Sequence, residues 1–287
     1  LVSRHNGDSR DGVNLTTIFG EQVTADLLKF LASFDESQLP DNAELESFPL
    51  VTLINPVDYA GTSIAAGTNF KEHAEEIYSD DPPFLFPKLT AAGNWNDPVP
   101  FVERLDYEAE LCMFPLEDIV SPDQLPGFGL VLCNDFTDRW VLITELDFGQ
   151  PLGLTGFASG KGCADCLPTG YLVVIPRSDD FYLTLDLSLS VNDRMRQRFR
   201  MQALILSIEE IVAQAFEVQD VVYQNGDDEV VLMPDRMIPE GTLILTGTAA
   251  GVIFKPANIW NQGFYLQKDD VVWTEAKYLG HLRNVVR

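Results

Sequence analysis

Histidine is scarce in this 287-residue chain, with only His5, His73 and His281 present. A histidine-rich metal site is therefore excluded, and any bound metal should have oxygen ligands. His5 lies in a polar opening stretch and His281 close to the end, which leaves His73 as the histidine in a context suited to catalysis. Positive charge is also short: 19 Lys and Arg against 44 Asp and Glu, a net charge of −25. Such a surface repels phosphate backbones and anionic lipid, so neither nucleic acid nor a membrane surface is expected as a partner. No apolar run approaches the roughly 20 residues of a membrane helix; the best uncharged stretch, Gly241 to Phe254, is interrupted by threonine and glycine. The chain opens without a basic segment followed by an apolar run, so a secretory signal is not expected and a cytoplasmic protein is. Common catalytic motifs are missing too. Gly156 to Gly160 reads GFASG, with its serine one place too late for a nucleophile elbow, and HExxH, Walker A and GxGxxG are absent. Four cysteines occur, at 112, 133, 163 and 166. Cys163 and Cys166 form a CxxC, but no second pair completes a zinc site and no thioredoxin-like context surrounds it. All four are expected to be reduced, partly buried thiols.

What is present is ordinary globular composition, 46% hydrophobic and 22% charged. Residues 1 to 20 are polar, with Asn-Gly-Asp and Asp-Gly pairs, and read as a mobile leader. Apolar residues at Val23, Leu27, Leu28 and Leu31 predict a helix over Glu21 to Phe34. Asp35 to Ser47 is acidic and turn-rich, and Phe48 to Val57 reads as a strand. Beyond Gly61, short β-rich runs alternate with Gly/Pro turns: Leu111–Phe114, Gly129–Cys133, Tyr171–Pro176, Leu183–Val191, Thr242–Leu245 and Val271–Thr274. Helices are predicted over Phe70 to Tyr78 and Met201 to Phe216, the second with apolar residues at 204, 205, 208, 211, 212 and 215. The expected architecture is α+β and mainly β, with a small α/β module over 1–60 and a catalytic domain over 61–287.

The most informative segment is Asp106-Tyr107-Glu108-Ala109-Glu110-Leu111. Residues two apart on a strand share a face, so Glu108 and Glu110 should point one way, with Tyr107, Ala109 and Leu111 opposite. Paired carboxylates repel and raise one pKa, and a hard dication removes that penalty. Taken alone, the pattern also fits a solvated strand face. Asp135 adds weight, because it ends an apolar strand, Gly129 to Asn134, where an acid needs a partner. Lys161, between two glycines, can approach a site without obstruction. Gly247-Thr248-Ala249-Ala250-Gly251 follows another apolar strand and offers N–H groups and a hydroxyl to an anion.

In order and wording these segments resemble the fumarylacetoacetate hydrolase family. Gly67-Thr68-Asn69-Phe70 with His73 and Glu76 resembles its G-x-N-[YF]…H-x-x-E. Asp106 to Leu111 resembles D-Y-E-x-E-L, and Asn134-Asp135 with Thr137 and Arg139 resembles N-D-x-[ST]-x-R. Gly160-Lys161, Val191-Asn192 with Arg196-Gln197, Pro239 to Thr242, Thr246 to Gly251, and Asp270, Leu279-Gly280 and Asn284 continue the match in order, over more than 200 residues. Departures are Ala164, where the family has an acid, Ala249 for a proline, Gly170-Tyr171 for G-P, and Leu142 for a glutamine seven residues after the aspartate.

The resemblance implies a β-sandwich or roll catalytic domain with Mg²⁺ or Mn²⁺, Ca²⁺ also being compatible, on Glu108, Glu110 and Asp135. It implies a small-molecule 2-oxo acid or diketo substrate, cleaved at a C–C bond through a metal-stabilised enolate, and a homodimer. Lys161 would face the oxyanion, and Thr248 and Gly247 would grip a carboxylate or oxo group. Arg139 would bind a substrate carboxylate or brace Asp135. His73 and Glu76, three apart and so on one helix face, would form a general-base dyad in a segment that resembles a lid. Glu75 is a spectator, and Tyr107 and Trp140 are expected in the core. Two other readings stand beside this one: a decarboxylase, isomerase or dehydratase using the same metal site, and an inactive binding subunit that keeps the fold.

Overall fold

The computed structural model describes residues 1–57, 61–77 and 81–287. The chain divides into two compact units, Leu1–Ile54 and Asn55–Arg287. The first is not a mobile leader at its start. Val2–Asn6, Ser9–Val13 and Leu45–Pro49 form an antiparallel three-stranded sheet. Its strands are short and polar, a pattern that also reads as loop, which is why composition misled. The helix expected over Glu21 to Phe34 is split, because the Asp26 side chain caps Leu27–Ser33 by accepting the Lys29 N–H. Phe19, Phe30 and Phe34 form this unit's aromatic cluster, with ring centroids 5.3 to 5.9 Å apart. The strand expected over Phe48 to Val57 ends at Pro49 and gives way to a 3-10 turn, Leu50–Thr52.

The second unit is α+β and mainly β. Ten of its strands form two sheets: β1 (Ser63–Gly67), β2 (Phe84–Lys88), β3 (Ala109–Pro115), β4 (Phe128–Asn134), β5 (Thr169–Val174), β6 (Asp186–Val191), β7 (Arg194–Arg200), β8 (Ile244–Leu245), β9 (Val271–Ala276) and β10 (Gly280–Val285). The larger sheet runs β5-β4-β3-β8-β1-β2, with β8 parallel to β1 and the other neighbours antiparallel. Every residue of β3 and β4 is buried, as expected for near-continuous apolar runs covered on both faces. The smaller sheet runs β7-β6-β9-β10. In β6 Leu187, Leu189 and Val191 alternate inward, the period of a half-buried strand. Two side-chain bonds tie the sheets together: Ala109 N–H donates to Gln197 Oε1 at 3.0 Å, and Asn134 Nδ2 to Thr274 Oγ1 at 3.1 Å.

Four helices matter for the site: α1 (Lys71–Glu76), α2 (Arg139–Glu145), α3 (Phe157–Gly160) and α4 (Ile208–Glu217). Of the helix expected over Phe70 to Tyr78, Tyr78 lies outside the described residues. The helix expected from Met201 starts only at Ile208. Ser207 and Glu210 form a capping box there, Ser207 Oγ accepting the Glu210 N–H and the Glu210 carboxylate accepting the Ser207 N–H. Ile208, Ile211, Val212 and Ala215 then form its buried face. Among the described residues no helix is long and apolar enough to cross a membrane.

The cysteine expectation is overturned. Cys112 is bonded to Cys133 and Cys163 to Cys166. The register of β3 on β4 pairs Glu110 with Cys133 and Cys112 with Val131, so the two cysteines are diagonal neighbours with Cα atoms 5.9 Å apart, within bridging reach. Spacing alone, without that register, does not reveal the pair.

Candidate metal centre and active site

Glu108, Glu110 and Asp135 converge. One oxygen of each lies within 4.8 Å of the others, and all three residues are buried. Local structure makes this happen in a way the strand pattern only partly foresaw. Glu108 precedes β3, in the irregular step after Leu105–Asp106, and Glu110 lies inside the strand. Asp135 follows β4 directly and donates its N–H to Glu108 O at 2.9 Å. Asn134, the last residue of β4, accepts the Glu108 N–H on its side chain at 3.0 Å. The strand-end hydrogen bonds thus turn the two segments' acids toward one point.

Lysine and arginine close the cluster. Lys161 Nζ donates to Glu108 Oε2 at 2.5 Å, Asp135 Oδ2 at 2.7 Å and Thr137 Oγ1 at 3.0 Å. It reaches them because α3 ends at Gly160, where a Cβ would meet Leu142 Cβ at 2.5 Å; only glycine lets α3 press so close on α2. Lys88 at the end of β2, fully buried, pairs with Asp135 Oδ1 at 2.7 Å and donates to the Lys161 carbonyl. Arg139 donates to Asp106 Oδ2 at 2.9 Å and Glu108 Oε1 at 2.5 Å. Its brace is therefore on Glu108 and Asp106 rather than on Asp135.

The electrostatics divide the acids. Burial would raise Glu108, but Lys161, Arg139 and His73 outweigh it and hold this carboxyl well below the usual range. Glu110 goes the other way: burial first, then the Asp135 and Glu108 charges, push it well above the ordinary carboxylate value. Burial pulls Lys88 down against the attraction of Asp135, whereas for Lys161 the charges of Asp135 and Glu108 overcome burial and raise it.

This donor set fits a hard dication. Three buried carboxylates share a focus that already attracts an ammonium group, and burial with the charges of the other two pushes Glu110 well above the ordinary carboxylate range. Counting Asp106, Glu108, Glu110 and Asp135 against Lys88, Lys161 and Arg139 gives four negative to three positive charges. All-oxygen donors select Mg²⁺, Mn²⁺ or Ca²⁺ over softer metals.

The other expected residues are placed as follows. His73 on α1 is buried and lines a cavity of about 480 Å³ together with Glu108, Arg139, Lys161 and Thr248. Its Nδ1 is 3.7 Å from Glu76 Oε2, an ion-pair separation too long for a hydrogen bond. Glu76 also pairs with Lys255 at 2.7 Å and accepts the Gly251 N–H at 3.0 Å. These contacts, with that of His73, keep its pKa below normal although burial alone would raise it. Glu75 pairs with Lys71 at the surface. The Gly247 N–H is committed to Glu110 Oε2 at 2.7 Å, from a residue at φ +91° where glycine is favoured. The Thr248 hydroxyl donates to Ala109 O at 2.8 Å and accepts from Gln197 Nε2 at 2.9 Å, so hydroxyl and N–H both serve the scaffold. Tyr107 is buried as expected, but Trp140 is 39% exposed beneath the Arg104 guanidinium, so its place in the core is corrected. The segment that resembles a lid runs into residues 78–80, outside the described residues.

Three contributors escaped the sequence reading: Lys88, Asp106 as the partner of Arg139, and Gln197. Lys88 did leave a signal, a lysine closing the apolar strand Phe84-Leu85-Phe86-Pro87.

The sequence pattern described as fumarylacetoacetate (FAA) hydrolase C-terminal matches residues 62–287. The chain belongs to the fumarylacetoacetate hydrolase family. Solved structures of this fold agree with that placement. The fumarylacetoacetate hydrolase of Exiguobacterium antarcticum superposes with a TM-score of 0.66 at 21% identity, covering 99% of this chain and 93% of the other. For 5-carboxymethyl-2-hydroxymuconate delta-isomerase of Mycobacterium smegmatis the values are 0.58 and 22%, covering 86% and 87%. For fumarylpyruvate hydrolase of Pseudomonas aeruginosa, in complex with Mn²⁺ and pyruvate, they are 0.58 and 18%, covering 86% and 93%. Members of the fumarylacetoacetate hydrolase family thus include hydrolases and isomerases of 2-oxo-acid-like substrates.

Proposed function

We propose that this family member is a divalent-metal-dependent hydrolase that cleaves a C–C bond in an acylpyruvate-like 1,3-dicarbonyl. The observation that carries the reading is the focus of Glu108, Glu110 and Asp135, with Lys161 on it and His73 in the wall of the same cavity. A neighbour of the same fold that binds Mn²⁺ and pyruvate supports the class of ligand. A dication on the three carboxylates supplies the concentrated charge that polarises a carbonyl.

The chain's own residues supply the rest. Imidazole of His73 takes a proton from water, and the water oxygen adds to the acyl carbonyl carbon. Glu76, 3.7 Å from Nδ1, stabilises the imidazolium that results. Breaking the C–C bond leaves its electron pair on the departing 2-oxo acid as an enolate, whose negative oxygen is countered by Lys161. Proton return from imidazolium to that carbon completes the products, a carboxylic acid and a 2-oxo acid. Arg139 keeps Glu108 oriented throughout.

A second reading is favoured by the open His73–Glu76 pair: isomerisation or decarboxylation of a 2-oxo acid at the same carboxylates, which needs no activated water. Assay of acylpyruvates, oxaloacetate and oxo-dienoates, with added metal and with chelator, tests both. Hydrolysis that needs metal and collapses in His73→Ala is the expected result. Full turnover by His73→Ala would move the protein to the second reading, and activity that survives exhaustive chelation would remove both.

A further inference from the structure

We propose that the substrate bears one carboxylate only, at its oxo end, and continues into an uncharged apolar tail, aryl or alkyl. This rests on the metal-dependent reading above and adds which member of the oxo-acid class the site accepts.

The cavity has a charged end and an apolar remainder. Helix α2 runs from one to the other. Arg139 opens it beside Glu108, Leu142 and Ile143 follow at three and four residues, and Leu146 caps its end, each lining the cavity. At 1.5 Å per residue the wall turns apolar within about 5 Å of Arg139 and stays so to about 10 Å. Leu142 occupies the position where the family pattern has glutamine. Three aromatic rings also line the cavity in edge-to-face and tilted contact: Phe157 lies 4.9 Å from Phe84 and 5.2 Å from Phe86, centroid to centroid. Phe148, Phe254 and Ile259 add to the lining.

Both cations that line the cavity are engaged at the charged end, Arg139 by Asp106 and Glu108, and Lys161 by Glu108 and Asp135. Among the described lining residues no other lysine or arginine occurs. A distal carboxylate would therefore lose water without gaining a partner, which is costly. A methylene or ring in the same place gains the transfer free energy of an apolar group. The cavity thus rejects diacids and retains monoacids with apolar tails.

The test uses the full chain loaded with Mn²⁺, at high salt to screen its general negative field. Calorimetry compares 2-oxohexanoate with 2-oxohexanedioate, equal in length and different only in the terminal carboxylate, and then pyruvate with longer 2-oxo monoacids. The monoacid should bind about tenfold tighter or better, and affinity should climb up to about fourfold per added methylene. Phe148→Lys, at a side chain 85% exposed and so harmless to the core, should largely erase the discrimination by giving the diacid a partner. Equal or tighter binding of the diacid by the unaltered protein, or a flat monoacid series, would overturn the proposal while leaving metal-dependent oxo-acid binding intact. If Mn²⁺ binds and none of the oxo acids does, the functional reading falls and this proposal with it.

Discussion

Glu110 should make the stability of this protein depend on pH in a direction opposite to ordinary acid denaturation. Its carboxyl is raised well above the ordinary carboxylate range by burial and by the Asp135 and Glu108 charges. A folded state that holds a proton more tightly than the unfolded chain is favoured at low pH. That stability is fully present below about pH 4.5 and is lost as pH rises toward the folded pKa, at about 1.4 kcal/mol per pH unit for one proton. Glu108 and Glu76, both depressed, contribute oppositely, their stability being lost as pH falls below the normal carboxylate range. Replacing Glu110 by glutamine removes the first effect and leaves the others.

The assay is thermal and urea unfolding of the metal-free protein and Glu110→Gln from pH 5 to pH 8. The two should be close in stability at the acid end, and the variant should gain over the parent by about 1.4 kcal/mol per unit across the titration window. Mn²⁺ should narrow that lead at high pH. At a hundredfold excess over its Kd, a ligand specific to the folded state adds about 2.7 kcal/mol, or roughly 5 to 11 °C for a unit of this size. The variant, lacking one ligand, should gain far less. Because binding displaces the Glu110 proton, affinity for Mn²⁺ should rise about tenfold per pH unit up to the folded pKa. A pH-independent difference between parent and variant, or equal stabilisation of both by Mn²⁺, would refute the reasoning.

Other expectations follow from the same geometry. Lys88→Met leaves one Asp135 oxygen buried without its ammonium and should cost about 3–5 kcal/mol, read by urea unfolding. Arg139→Leu should lower kcat while weakening Mn²⁺ binding, because Glu108 loses the guanidinium that orients it; calorimetry and kinetics together measure the split. Cys112→Ala with Cys133→Ala opens a 21-residue loop, and the chain-entropy estimate for that loop is a loss of roughly 3 kcal/mol of stability. His73→Ala should leave Mn²⁺ affinity nearly unchanged, since no oxygen ligand is touched, while hydrolysis falls by about 10²–10⁴-fold, the worth of a general base.

The legible part of this protein was its alternation. Glu108 and Glu110 share a spacing that any near-extended segment turns toward one side, and Asp135 closes an apolar run, but spacing alone fits a solvated face equally well; the resemblance to the family is what joined the three. The central strands β3 and β4 were equally plain, because continuous apolar runs have few other homes. Strand β7, Arg194–Arg200, was not, since its sequence RMRQRFR buries only Gln197 and Phe199 and is polar elsewhere. Breaks in helices were invisible to periodicity: Asp26 and Ser207 end one pattern or begin another through side-chain caps, which apolar spacing does not record. Contacts that depend on long-range register were hidden altogether. The Cys112–Cys133 bond needs the pairing of β3 on β4, and the burial of Lys88 needs the end of β2 to meet residues 73 further along the chain.

Lys161 shows why such a charged centre can fold before any metal arrives. Its ammonium bridges Glu108 and Asp135, Lys88 holds the other oxygen of Asp135, and the raised pKa of Glu110, set by burial and by the Asp135 and Glu108 charges, eases the remaining excess of negative charge. The four acids and three bases are thereby nearly balanced within the protein itself, although the molecule as a whole carries −25. A dication would convert that balance to one net positive charge, four negative against five positive. Under the proposed function, that centre would attract an anionic oxo acid that the outer surface repels. Lys161→Met should separate the two roles: the metal-free protein loses stability because two buried carboxylates lose their shared cation, while Mn²⁺ restores more stability to the variant than to the parent. Equal restoration in both would mean that Lys161 and the metal do not draw on the same carboxylates, and the preformed centre would have to be explained otherwise.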